Sequence, residues 1–298
     1  MAEPLTHELK APDGRTLVAR EVGAPDGPAI VAQHGTPGSG YAGRADVESA
    51  EERGLRLITY DRAGYGGSSP DPGRSVAAAA ADVGAVLDAL GVERFATYGV
   101  SGGGPHALAC AALLPDRCAA AATVAGIGPA DAPDLDFIAG MGEGNIAEYG
   151  VAFEGREPLT EYVAADAEGL LSVESEQLVD AMRPHLSDID AAALTGELAE
   201  FLLSKMKAGL APGIDGWVDD DLAFVEPWGF DLDSIRVPVL VWQGRQDNMV
   251  PPEHGVWLKA HVPGAEGDVF PDEGHLTLSV NRIGDVHAWL LHKLVNAA

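Results

Sequence analysis

Hydrophobic and polar positions follow two rhythms along this chain. From His7 to Val22 they alternate on either side of Pro12-Asp13-Gly14, which predicts two short antiparallel strands joined by a turn at a sheet edge. Beyond the hairpin the alternation gives way to continuous apolar runs at Ala29 to Gln33, Leu55 to Tyr60, Phe95 to Gly99, Ala119 to Ala125 and Val237 to Trp242. Runs this short with no polar face suit strands covered on both sides, hence a mostly parallel sheet with helical crossovers, an α/β architecture. Helices are predicted over roughly 41–53, 75–90 and 103–114, stretches rich in Ala, Leu or Glu and bounded by Gly or Pro. Another short strand, Gly267 to Phe270, precedes a last helix over about 276–296 with an apolar stripe through Val286, Leu290 and Leu294.

The strand–helix alternation breaks after the fifth apolar run. From Asp131 to Phe224 the sequence is helix-forming and acidic, without a convincing strand. This divides the chain into a core, residues 1–130 and 227–298, and a helical insertion, 131–226. Charge marks the same division: of the formal −27, residues 131–226 carry 22 acidic and 4 basic side chains, a net −18, which leaves −9 for the rest. Most of those carboxylates are expected on a solvated helical surface. So negative a chain repels phosphate backbones and acidic membrane surfaces, so neither nucleic acid nor membrane is an expected partner. No apolar stretch approaches the roughly 20 residues needed to cross a bilayer, and Met1-Ala2-Glu3-Pro4 has no basic patch or apolar run, so a cytoplasmic protein is expected. Cys110 and Cys118, on either side of Pro115-Asp116, are expected too far apart to bridge, and cysteine offers no metal cluster.

The candidate chemistry begins at Gly99-Val100-Ser101-Gly102-Gly103. Gly-x-Ser-x-Gly is weak as a bare pattern, but here it follows the run Phe95-Ala96-Thr97-Tyr98 and opens the helix Pro105-His106-Ala107-Leu108-Ala109. A serine on such a strand-to-helix turn has its hydroxyl thrust out at the carboxyl end of the strand. Small neighbours are needed where the turn packs tightly, and the following helix offers free N–H groups to a developing oxyanion. Together with His34-Gly35-Thr36-Pro37-Gly38 and Tyr60-Asp61-Arg62-Ala63-Gly64-Tyr65-Gly66-Gly67-Ser68, this turn resembles the α/β-hydrolase superfamily, in the branch of capped serine esterases and prolyl-aminopeptidase-like enzymes. The resemblance spans about residues 5–128 and 230–295 and implies an eight-stranded sheet flanked by helices, with 131–226 in the position of the family's cap, although no cap motif is present.

The resemblance implies that Ser101 is a nucleophile whose partners follow in the order acid, then histidine. His275, reached from the strand Gly267 to Phe270 through Asp272-Glu273-Gly274, stands where the family places its base. His34 and His106 lie beside the turn, and His254, His261, His287 and His292 read as helix-surface residues. Asp247, in the exit loop Gly244-Arg245-Gln246-Asp247 of the strand Val239 to Trp242, is the expected acid. Asp131, after the preceding strand, is the alternative that some family members use. The family's oxyanion donors are the backbone N–H groups of Thr36 and Gly102, with the Thr36 hydroxyl as a candidate third. Asp61 and Arg62 belong to a structural loop beneath the site.

The expected reaction is acyl transfer from a small-molecule carboxylic ester or lactone, with neither cofactor nor metal. A serine at this turn argues against the dehalogenases and epoxide hydrolases of the fold, which use aspartate. A prolyl-aminopeptidase-like reaction is the alternative, since acidic residues of the cap offer to bind an amine. The chain departs from that pattern at Thr36, where a third small residue is usual, and in having no tryptophan beside Ser101. A ligand-binding module without catalysis is the alternative of another class. Carbon–carbon bond hydrolysis and perhydrolysis share the same turn, and the sequence assigns no oligomeric state.

Overall fold

The computed structural model describes residues 4–296. Strands β1 (Leu5–Lys10) and β2 (Thr16–Gly23) form the expected hairpin, with Leu5 opposite Glu21 and Lys10 opposite Thr16. Six more strands follow: β3 (Ala29–Gln33), β4 (Arg56–Tyr60), β5 (Phe95–Val100), β6 (Cys118–Val124), β7 (Val239–Gly244) and β8 (Glu266–Phe270). They complete one eight-stranded sheet in the order β1-β2-β4-β3-β5-β6-β7-β8. β2 is antiparallel to both neighbours, and every other pair beyond it is parallel. β7 begins two residues later than the apolar run suggests. Pro238 has no N–H to give the ladder, although its carbonyl accepts from Ala121 at 3.0 Å.

Helices α1 (Arg44–Arg53), α2 (Ala78–Ala89) and α3 (Gly103–Leu113) cross between the early strands. Between β6 and β7 lie α4 (Glu143–Ala152), α5 (Arg156–Ser172), α6 (Leu178–Ala181), α7 (Asp188–Ala193), α8 (Gly196–Gly209) and α9 (Asp215–Val225). Helix α10 (Pro252–His261) joins β7 to β8, and α11 (His275–Asn296) closes the described chain.

The strands are buried on both faces, as their unbroken apolar runs require. Ile30, Leu57, Ala96 and Leu240 pack with Leu278, Val286 and Leu290 of α11 on one face. Their sequence neighbours Val31, Ile58 and Val241 face the other side, with Val83 and Leu87 of α2 and Leu108 of α3. That second core continues into the inserted helices through Tyr149, Leu159, Trp217 and Phe224.

Strand order places the functional end. β3 lies between β4 and β5, with Gln33 level with Gly99. The chain leaves β3 toward α1 on one face and β5 toward α3 on the other, so a crevice opens between their carboxyl ends, the topological switch point of an open α/β sheet. Asp61, just beyond β4, braces this region: its fully buried carboxylate accepts from Arg20 of β2, from Gly40 N–H at 2.7 Å and from Gly67 N–H at 3.1 Å.

Burial corrects two expectations. His254 and His287 are not surface residues but wholly buried. His254 accepts from Gly128 N–H at 3.0 Å and donates to Phe137 O at 2.9 Å, bracing the chain beyond β6. His287 sits 3.0 Å from Ser49 Oγ, with its ring edge on Tyr98. Most carboxylates of the insertion are unburied, as expected, but Glu148, Asp190, Asp219, Asp220 and Asp221 are buried. Cys110 and Cys118 are both free and buried.

Candidate active site

β5 ends on Val100, and Ser101 adopts φ 56°, in the left-handed region that a residue with a Cβ enters at a cost of about 1–3 kcal/mol. The turn is held by Ser101 N–H donating to Val124 O at 3.0 Å and by Gly104 N–H donating to Ser101 O at 2.9 Å. Its glycines answer to space: a Cβ on Gly99 would lie 1.9 Å from Gly103 O, and one on Gly103 would lie 2.2 Å from Gln33 O. The half-buried serine side chain therefore stands off the strand end and lines a cavity.

The loop leaving β3 runs directly past it. A Cβ on Gly35 would be 3.4 Å from Ser101 Cβ and 3.9 Å from its Oγ, and one on Gly102 would be 2.6 Å from Thr36 Oγ1. The backbones of Thr36 and Gly102 thus lie side by side next to Ser101. Buried His34 secures this loop: its Nδ1–H donates to Gly35 O at 2.8 Å and its Nε2 accepts Arg62 N–H at 3.1 Å. Burial, with the Arg62 charge adding to it, holds His34 well below the ordinary histidine value and keeps it neutral. His106 is neutral for the same reason, pushed down to about 3 mainly by burial.

Beneath the loop sits a charge cluster that only the fold reveals. The Arg62 guanidinium donates to His34 O, to Gly35 O at 3.3 Å and to Thr36 Oγ1 at 3.1 Å, and pairs with Asp220 of α9 at 2.5 Å. Asp220 also takes Arg74 at 2.6 Å, Tyr65 Oη at 2.9 Å and Thr36 Oγ1 at 2.6 Å. The Thr36 hydroxyl is therefore committed to Asp220 and is not the free third donor that its position beside Gly35 suggests. Burial alone would raise the Asp220 carboxyl, but Arg62 and Arg74 outweigh it and hold it well below the usual carboxylate range.

On the opposite side, Arg245 N–H donates to Phe270 O at 2.8 Å and Gln246 N–H to Glu273 O at 2.9 Å, which brings the exit loops of β7 and β8 together. Asp247 and His275 meet there: Asp247 Oδ2 lies 2.8 Å from His275 Nδ1, and both residues are buried. The Asp247 carboxylate also accepts from Met249 N–H at 2.9 Å, Val250 N–H at 2.8 Å and Gln243 Nε2 at 3.0 Å. Burial opposes a charge on His275, yet Asp247 and then Asp190 outweigh it and raise its affinity for a proton. Asp131, the alternative acid, is exposed and lines a separate cavity with Trp228 and Phe230.

Ser101, Gly102, Thr36 and His275 line one cavity of about 1070 Å³, roofed by inserted helices through Tyr162, Leu198 and Phe201 among others. Two buried acids also face it, Glu148 and Asp221, with Trp217 Nε1 donating to Glu148 at 2.5 Å. Burial, reinforced by the neighbouring Glu148, pushes the Asp221 carboxyl well above its ordinary value. Two cationic side chains line the cavity, Arg44 of α1 and Lys205 of α8, and the Lys205 ammonium, beside Phe201, is made easier to deprotonate by burial.

The chain is similar to known proteins. The family described as the alpha/beta hydrolase fold matches residues 28–151. An uncharacterized hydrolase of Bacillus subtilis is 26% identical over 228 residues, 76% of this chain and 77% of its own. A 2-hydroxy-6-oxononadienedioate/2-hydroxy-6-oxononatrienedioate hydrolase of Paraburkholderia xenovorans is 29% identical over 256 residues, 81% of this chain and 78% of its own. Among solved structures, a thermophilic esterase from Thermogutta terrifontis superposes with a TM-score of 0.70 at 23% identity, over 98% of this chain and 99% of that one.

Proposed function

We propose, on the premise that the chain belongs to the α/β-hydrolase superfamily, that it is a serine hydrolase cleaving a small-molecule carboxylic ester or lactone through an acyl enzyme. The observation that carries this reading is the buried Asp247–His275 hydrogen bond of 2.8 Å, made by a histidine lining the same cavity as the strained Ser101. In this reading Ser101 Oγ attacks the carbonyl carbon while His275 Nε2 takes its proton, since Nδ1 is engaged by Asp247. The oxyanion is received by the N–H groups of Thr36 and Gly102. The tetrahedral intermediate collapses with the proton returned to the leaving alkoxide, and water, activated by the same imidazole, releases the acid. Asp247 orients the ring and stabilises its positive form. Residues 131–226 are the cap that closes the site from above.

A fluorophosphonate probe tests the nucleophile: stoichiometric labelling of the wild type, abolished in Ser101→Ala, is expected. An unlabelled, folded wild type would speak for the non-catalytic alternative.

One observation favours the aminopeptidase reading. Glu148 and Asp221 give the cavity a buried negative site suited to an ammonium group. Esters remain the first choice because most of the cavity lining is apolar, with the oxyanion loop held by Thr36 rather than by a run of small residues. Comparing p-nitrophenyl acyl esters with proline p-nitroanilide separates the two, and faster turnover of the anilide would reverse the order.

A further inference from the structure

An α-helix leaves the N–H groups of its first turn without partners inside the helix, and a buried helix start must find acceptors elsewhere. α11 starts on His275, in a buried setting, and does not use a local side chain for most of these groups. Asp190 of α7, 85 residues earlier in the chain, reaches in from the inserted helices. Its Oδ2 accepts His275 N–H at 2.7 Å, and its Oδ1 accepts Leu276 N–H at 2.8 Å and Thr277 N–H at 3.1 Å. Ser187 Oγ donates to the same carboxylate at 2.9 Å, and Asp190 is fully buried. Even the preceding residue is shaped for it, since a Cβ on Gly274 would lie 2.4 Å from Asp190 Oδ2.

We propose that Asp190 is a positioning residue for His275, a carboxylate of the inserted helices that fixes the first turn of α11 and thereby the place and charge balance of the imidazole. The proposal rests on the reading of His275 as the general base. Its physical basis is that a carboxylate accepting three N–H groups at a helix start makes charge-assisted hydrogen bonds, each roughly twice as strong as that of a neutral Ser or Thr cap. The clamp also ties the insertion to the base, so the cover and the chemistry are one structural unit.

The charged groups facing His275 are few: Asp247 from the β7 exit loop and Asp190 from α7. Glu273, two residues earlier, turns instead to Asn281 at 3.0 Å and Arg282 at 3.4 Å. An anion at Asp190 favours the protonated imidazole, so removing its charge makes His275 easier to deprotonate. A base works in its neutral form, so the acid limb of kcat/KM must move to lower pH.

Asp190→Asn is the test, measured on whichever p-nitrophenyl ester the wild type cleaves, with thermal melts to check folding. The expected result is a lower kcat at neutral pH, KM within about twofold, and an acid limb displaced to lower pH. Ser187→Ala, which removes a hydroxyl and leaves the charge, is expected to keep the wild-type limb. An unmoved limb in Asp190→Asn, a move to higher pH, or an equal displacement in Ser187→Ala would overturn the proposal. Titration of His275 by ¹³C NMR, assigned with His275→Asn, separates this from the catalytic reading. An active His275→Asn refutes the base, whereas an unchanged His275 titration in Asp190→Asn with an inactive His275→Asn refutes only the clamp. If the amide variant folds too poorly for kinetics, the NMR titration of Ser187→Ala beside a Thr277→Val variant decides it. A wild-type His275 titration in both supports charge as the agent, and a shift in either overturns it.

Discussion

Replacing Asp220 by asparagine attacks the floor of the proposed oxyanion loop without touching the proposed nucleophile or base. The native carboxylate receives two guanidinium groups, a phenol and the Thr36 hydroxyl, all but sealed from solvent. Asparagine keeps one acceptor oxygen and turns an NH₂ toward groups that are themselves donors, leaving Arg62 and Arg74 buried without a counter-charge. Removing one partner of a buried charge cluster costs about 3–5 kcal/mol. At about 2–4 °C per kcal/mol, the melting temperature should fall by roughly 6–20 °C. The Thr36 N–H is displaced rather than deleted, so kcat should drop about tenfold to a hundredfold, less than the 10²–10³ of a lost donor. The pH dependence has a definite sign. The Asp220 carboxyl is held well below its ordinary value by Arg62 and Arg74 against the effect of burial, so its contribution is present above the normal carboxylate range and lost as pH falls through the lowered value. The melting gap between wild type and variant should stay constant from pH 7 to about 4 and close only below that. Calorimetry over this range and ester kinetics at neutral pH check both halves. A variant that melts within about 2 °C of wild type and keeps its kcat would refute the reasoning.

Three further outcomes are expected. Asp247→Asn should lower kcat by about 10⁴, as loss of the orienting carboxylate does, while Asp131→Asn leaves it unchanged; steady-state kinetics of the two variants decide. In the wild type, the acid limb of kcat/KM should lie above the ordinary histidine value of about 6.5, because Asp247 and Asp190 outweigh burial at His275; a limb below that value contradicts the charge balance described. Glu148→Gln should leave turnover of neutral p-nitrophenyl esters within about threefold and abolish preference for any substrate bearing an ammonium group, which competition assays between matched neutral and cationic esters measure.

Much of this architecture is legible in the order of residues, because unbroken apolar runs admit few alternatives to a covered parallel sheet. The turn at Ser101 is legible for the same kind of reason, since its glycines stand where any Cβ would collide with Gly103 or Gln33. His275 and Asp247 could be picked out by their places after strands. The buried carboxylates could not, because Asp190 and Asp220 look like twenty other acids of the insertion until the fold pairs them. A signal was nonetheless present in Asp219-Asp220-Asp221, set among Trp217, Val218, Leu222 and Phe224. Three successive helical residues sweep about 200°, so they cannot all sit on one solvent face. His287 had a similar signal. It falls on the spacing Ile283, Val286, His287, Leu290, the buried stripe of α11, and reading it as a surface residue set that periodicity aside.

The two clamps bear on how a substrate reaches the cavity. Asp190 joins α7 to the first turn of α11, and Asp220 joins α9 to the loop carrying Thr36. A rigid swing of the whole insertion would strip three helix N–H groups of their acceptor and leave Arg62 and Arg74 without their counter-charge. The second loss alone costs several kcal/mol, and it would dismantle the proposed site each time it opened. Helices α5 and α8 also line the cavity, through Ala165, Gly169, Leu198 and Phe201, and neither holds a buried ion pair to the sheet domain among the described residues. Access by displacement of α5 leaves both clamps closed and the proposed base and oxyanion loop in place, whereas moving α8 would break the bonds Ser39 Oγ donates to Lys205 O at 2.9 Å and Gly66 N–H donates to Gly209 O at 2.9 Å.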